Sequence, residues 1–108
     1  MKTHPVALGI LLFIMWMALG CQRTPQMGGR EECMTAADAL WTAVNLKHSE
    51  FLDRSEAEIV RLHTAGVMPS DAYESLSTII ATARQGQWPD ARAELKRFLR
   101  DQRPVAQR

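Results

Sequence analysis

Gly66, Pro69, Gly86, Pro89 and Pro104 punctuate the second half of this sequence, and they confine it to short segments. A glycine just past a helix supplies the left-handed conformation that ends it, and a proline is tolerated in a first turn but not in an interior. Gly66 is therefore expected to stop one helix, and Pro69-Ser70-Asp71 to start the next with proline and capping chemistry in place. Gly86 ends that one. Pro89 then sits just inside a last helix, which Pro104 closes.

Within these limits the apolar spacing is helical throughout, and no alternating β-branched run argues for a strand. Ala37, Leu40, Trp41 and Val44 mark one face of a first helix over about residues 31 to 46. Phe51, Leu52, Ile59 and Leu62 mark a second. A break is expected near Lys47 to Ser49, because Ser49 can cap and Asn45 is a weak helix former. Tyr73, Leu76, Ile79, Ile80 and Ala83 form the third stripe, and Trp88, Ala91, Leu95, Phe98 and Leu99 the fourth. Connections this short predict an all-α fold, a small bundle of about four short antiparallel helices over residues 31–104. Residues 105–108 are expected to be a disordered tail.

The first twenty residues divide into a polar start with Lys2 and His4, an apolar run from Pro5 to Leu19, and Gly20 before Cys21. That is the layout of a secretory signal, and as a helix the run falls short of the roughly 30 Å core of a bilayer. A cleaved leader over residues 1–20 is expected. Ala18-Leu19-Gly20-Cys21 resembles the lipobox of the bacterial lipoprotein class, with the usual Leu-Ala order swapped. The resemblance implies a diacylglycerol on the Cys21 thiol, cleavage between Gly20 and Cys21, and acylation of the new amino terminus with a chain such as palmitate. It places the protein in the bacterial cell envelope, lipid-anchored to a membrane. In a two-membrane organism Gln22, standing where an aspartate would signal retention, is compatible with the outer membrane. An uncleaved anchor, or an exported protein in which Cys21 is a bystander, are the alternatives.

Gln22 to Gly29 is polar and broken by Pro25 and a glycine pair, so residues 21–30 read as the lipidated cysteine and a flexible linker. Past the leader about 88 residues remain, enough for one domain. A domain this small buries only about 60% of its unfolded surface, so its stability is modest. Setting Lys2 aside, twelve bases balance twelve acids, which speaks against nucleic acid as a partner. The balance is uneven along the chain. Glu31 through Glu74 holds nine acids against Lys47, Arg54 and Arg61, whereas Arg84 through Arg108 holds seven bases against Asp90, Glu94 and Asp101. Such polarity suits a solvated face, a contact to anionic head groups, or half of a complementary interface. With Cys21 lipidated, Cys33 is the one thiol left, buried as a small apolar residue or free for an intermolecular bridge.

No motif of the chain brings together a complete catalytic or metal-binding set. Trp88-Pro89-Asp90 matches the acid loop of the protein tyrosine phosphatases, but six residues after Cys33 stands Ala39 and six after Cys21 stands Met27, where that chemistry needs an arginine. Three and four residues before His63 are Val60 and Ile59, so neither helical metal-ligand spacing occurs. No serine sits in a nucleophile elbow, and Gly28-Gly29 lacks the Lys-Ser or Lys-Thr of a phosphate loop. No enzyme, metal or cofactor is expected. Ile79 to Pro104 resembles the middle of a tetratricopeptide repeat, with Gly86 closing a helix, Trp88 wedging the hairpin, and Ala91 and Leu95 allowing close packing. No second copy follows at the repeat's period, and a generic helical hairpin accounts for the same residues.

Function is accordingly expected to lie in contact. Arg92, Lys96, Arg100 and Arg103 recur every three or four residues, a basic stripe suited to binding an envelope protein partner. The alternatives are a small-ligand or metal-responsive lipoprotein using His48 and His63, and a small lipoprotein of the exclusion, immunity or lysis type.

Overall fold

The computed structural model describes residues 24–102. Four helices follow one another: α1 (Glu31–Leu46), α2 (Ser49–Thr64), α3 (Ser70–Arg84) and α4 (Trp88–Arg100). No strand occurs among the described residues. Helix α1 packs on α2 and α4, and α3 packs on the same two, so the four close a ring around one core. This is the small all-α bundle that the sequence predicts, with links of two to five residues returning each helix alongside its predecessor. The leader and the tail at 105–108 lie outside the described residues.

Three helices end in the same way. At the end of α1 the Lys47 N–H donates to Val44 O and the His48 N–H to Ala43 O, at 3.2 and 3.0 Å. At the end of α2, Gly66 donates to His63 O and Val67 to Leu62 O; at the end of α3, Gly86 donates to Ala83 O and Gln87 to Thr82 O. Each is a Schellman motif, which needs one residue in the left-handed region. Gly66 and Gly86 supply it at φ of 78° and 81°. The α1–α2 turn uses Lys47 at φ 53°, a conformation costing a side-chain-bearing residue about 1–2 kcal/mol.

The helix starts differ in detail from the sequence reading. Ser49 is the first residue of α2 and does not cap it; His48 does, its Nδ1 accepting from the Phe51 N–H at 3.2 Å. The ring also stacks on Phe51, centroids 3.9 Å apart. Ser70 turns away from capping α3, and its hydroxyl meets His63 Nε2 at 3.2 Å. Glu31 and Glu32, Asp71, and Asp90 lie in the first turns of α1, α3 and α4, where an acid favours the helix dipole.

The predicted stripes form the core. Leu40, Val44, Leu52, Ile59, Leu62, Leu76, Ile80 and Leu95 are all but inaccessible, and Ala36, Ala37 and Ala43 let α1 approach its neighbours closely. The larger stripe residues Trp41, Phe51, Tyr73, Trp88 and Leu99 are half-buried and pack around the rim. Cys33 is buried, with its Sγ 3.8 Å from Val67 O. Burial, with Glu32 nearby, pushes its thiol pKa up, so the thiol behaves as a small apolar residue and is not presented for a bridge.

The linker is where structure and sequence reading part. Met27, within the segment read as flexible, is 0% exposed and belongs to the core. Its N–H donates to Gln102 Oε1 at 2.8 Å, and Gln102 Nε2 donates in return to Pro25 O at 2.8 Å and to Phe98 O at 3.1 Å. The physical reason is the glycine pair. Gly28 and Gly29, at φ of 85° and 74°, fold the chain back so that Met27 drops into the bundle before α1 begins. Any free linker therefore lies before Thr24, outside the described residues.

Two stability measurements test this account. Replacing Lys47 with Gly relieves the left-handed strain and should raise the unfolding free energy in denaturant titration by about 0.5–1 kcal/mol. Met27→Ala should lower it by about 2–3 kcal/mol; a loss below about 0.5 kcal/mol would show that the segment is not part of the core.

Candidate functional site

At 100° per residue, the buried side of α4 is set by Ala91, Leu95 and Phe98, which turns Arg92, Ala93, Lys96, Arg97 and Arg100 outward. The four cations cover an arc of about 140° around the axis. The acids of this helix, Asp90, Glu94 and Asp101, fall together on the flank of that arc. Glu94 and Arg97 line a shallow hollow with Ser75 and Thr78 of α3, so the acidic flank is the one toward α3. The stripe read from sequence is thus a continuous basic face, with Arg97 as an added member. Arg103, the remaining predicted member, lies outside the described residues, as do Gly20 and Cys21.

Three of these four cations stand outside the ion pairs of the described residues, as do Arg30, Lys47 and Arg54. Arg61 pairs with Glu58 at 2.6 Å within α2, and Arg84 of α3 bridges to Asp53 and Glu56 of α2 at 2.8 and 2.5 Å. Arg100 meets Asp101 at 3.2 Å. Among the described residues no carboxylate lies within ion-pair distance of Arg92, Lys96 or Arg97. All are exposed, so the pairs that do form contribute little to stability and the unpaired cations cost little. The charge on α4 is available for something outside the molecule.

The chain joins the bundle at the end of this face. Thr24 Oγ1 donates to Asp101 Oδ2 at 2.9 Å, and Gln26 Nε2 donates to Asp101 O at 3.1 Å. Together with the Gln102 bonds, these fasten residues 24–27 across the carboxyl end of α4. Gln102 also covers a carbonyl that the helix end leaves open. The Thr24 hydroxyl, then Arg100, holds the Asp101 carboxyl below its ordinary pKa. Arg97 shares its hollow with Thr24 and Pro25, so cations and incoming chain are neighbours.

The histidines do not make a joint site. His48 begins α2 and His63 is in its last turn, about 22 Å away along the axis. His63 stacks on Tyr73 at 4.0 Å and 6°, which with the Ser70 contact ties the end of α2 to the start of α3. A serine beside a histidine is half of a nucleophile pair, but no carboxylate orients the ring among the described residues. No group of three or more metal-ligating side chains converges among them either. Two grooves on the outer side of α1 and α2, of about 350 and 370 Å³, share Ala39 and Glu58, and their rims carry Glu31, Glu32 and Glu58. No described helix is long and apolar enough to cross a membrane.

In comparisons with models of protein families, with curated proteins and with solved structures, the chain matches none. The site must be read from its own geometry.

Because the folded Asp101 carboxyl is more acidic than a free one, its bonds favour the folded clamp above the ordinary aspartate pKa of about 3.9 and fade as pH falls through the lower folded value. The Met27 amide resonance, followed by NMR, should therefore hold steady down to about pH 4 and move only below it. Asp101→Asn should remove that titration.

Proposed function

We propose that this chain is a lipid-anchored helical module of the bacterial envelope that works by contact, through the basic face of α4. The observation that carries the reading is where that face lies: three of its four cations, Arg92, Lys96 and Arg97, have no carboxylate within ion-pair distance among the described residues, and its carboxyl end holds the chain three residues from Cys21. The lipobox resemblance supplies the anchor. Only Gln22 and Arg23 separate Cys21 from the clamped Thr24, so the module rides close against its membrane and does not roam on a leash. The reading of a ligand or metal responder through His48 and His63 gains nothing from the geometry, because the two rings stand at opposite ends of α2.

The anchor is tested by mass spectrometry of the mature amino terminus. The expected product begins at Cys21 and carries diacylglycerol and an added acyl chain, and either Cys21→Ser or an inhibitor of signal peptidase II leaves the leader attached. A mature terminus elsewhere rejects the reading. The contact surface is tested by Arg92→Glu combined with Arg100→Glu, which should abolish recovery of the envelope component, protein or lipid, that co-purifies with the chain. Unchanged recovery rejects that face.

A further inference from the structure

We infer that the counterpart of the α4 face is the anionic phospholipid surface of the membrane that holds the chain's own anchor. This rests on the lipid-anchor reading above. Three observations converge on it: the clamp, the arc of cations, and the place of the acids.

The clamp sets distance. Thr24 is hydrogen-bonded to the last turn of the α4 segment, and the stretch from Cys21 to Thr24 spans at most about 11 Å when fully extended. Arg92 to Arg100 covers about 12 Å of helix axis, running away from that point. The carboxyl end of the basic face therefore lies within about one screening length of the head groups, and tilting the bundle brings its other end down. A loose ten-residue linker would leave the point of attachment free to wander; a clamped one sets it at the carboxyl end of α4.

The arc sets what the surface meets. Arg92, Lys96, Arg97 and Arg100 project over the outward side of α4 while Asp90, Glu94 and Asp101 stand on the flank toward α3. A plane laid along the helix touches cations first. Only Arg100 is shared with a carboxylate, and Glu31, Glu32 and Glu58 line a groove on the outer side of α1 and α2, beside a second lined by both Glu58 and Arg54. Near an anionic bilayer each lysine or arginine strengthens attachment about fivefold. Because the anchor makes docking intramolecular, weak contacts of this kind are enough to fix an orientation. The face carries no large apolar side chain at its centre, where Ala93 stands, as suits a plane of phosphates better than a hydrophobic groove.

The test uses the mature, acylated chain in vesicles of phosphatidylcholine alone or mixed with phosphatidylglycerol. A nitroxide is placed at Ala93→Cys, mid-face on α4, or at Ala57→Cys, exposed on α2; native Cys33 is buried and does not compete for label. Accessibility to a water-soluble paramagnetic collider should fall several-fold at position 93 in the anionic vesicles only, and not at position 57. High salt, or Arg92→Glu with Lys96→Glu, should restore it. Equal accessibility at both positions in a chain that stays vesicle-bound overturns the docking and leaves the anchor standing. A chain that elutes free of the vesicles overturns both. Protection at position 93 that appears only when detergent-solubilised envelope protein is added assigns the face to a protein and also overturns the inference.

Discussion

The bundle depends on reversing the chain within a few residues, three times. Helices of thirteen to sixteen residues bury a shared core only if each comes back alongside the last, and the left-handed residue at Lys47, Gly66 and Gly86 does this. The same turns place the carboxyl end of α4 and the start of α1 at one end of the ring. Met27 can close the core there because Gly28 and Gly29 redirect the chain a fourth time. Without these reversals the apolar stripes would be correct and have nothing to face.

Most of the architecture was legible in the sequence because its signals are local. Helical spacing of Leu40, Val44, Leu52 and Ile59 and the glycine stops at Gly66 and Gly86 need no knowledge of neighbours. The α1–α2 break was legible as a place but not as a mechanism, since nothing about a lysine announces positive φ. Met27 was illegible for a different reason. A lone methionine between proline and a glycine pair has no periodicity, and only the gap at the end of the bundle makes it core. The capping role of His48, and the turn of Ser70 away from one, also depend on partners, Phe51 and His63, that the fold brings within reach.

The basic stripe shows the same division. Its three- and four-residue spacing predicted a face, and Arg92, Lys96 and Arg100 occupy one. The count of bases from Arg84 onward did not separate these cations from Arg84, which is spoken for by Asp53 and Glu56 across the α2–α3 interface. Nor did it add Arg97, which falls between the stripe's rows when counted along the chain but on the same outward arc when wound into a helix. Charge sums along a sequence overstate what is free; the pairing pattern in space corrects them.

Seating the amino-terminal segment against α4 has a mechanical consequence. Any pull arriving from the amino-terminal side would reach Thr24 first and pass to Asp101, Gln102 and the buried Met27 before it could load α1. Those bonds cross from the pulled strand to the last helix, so the force peels them one after another. The segment would behave as a breakaway latch, yielding about seven residues of slack and leaving the four helices folded behind it.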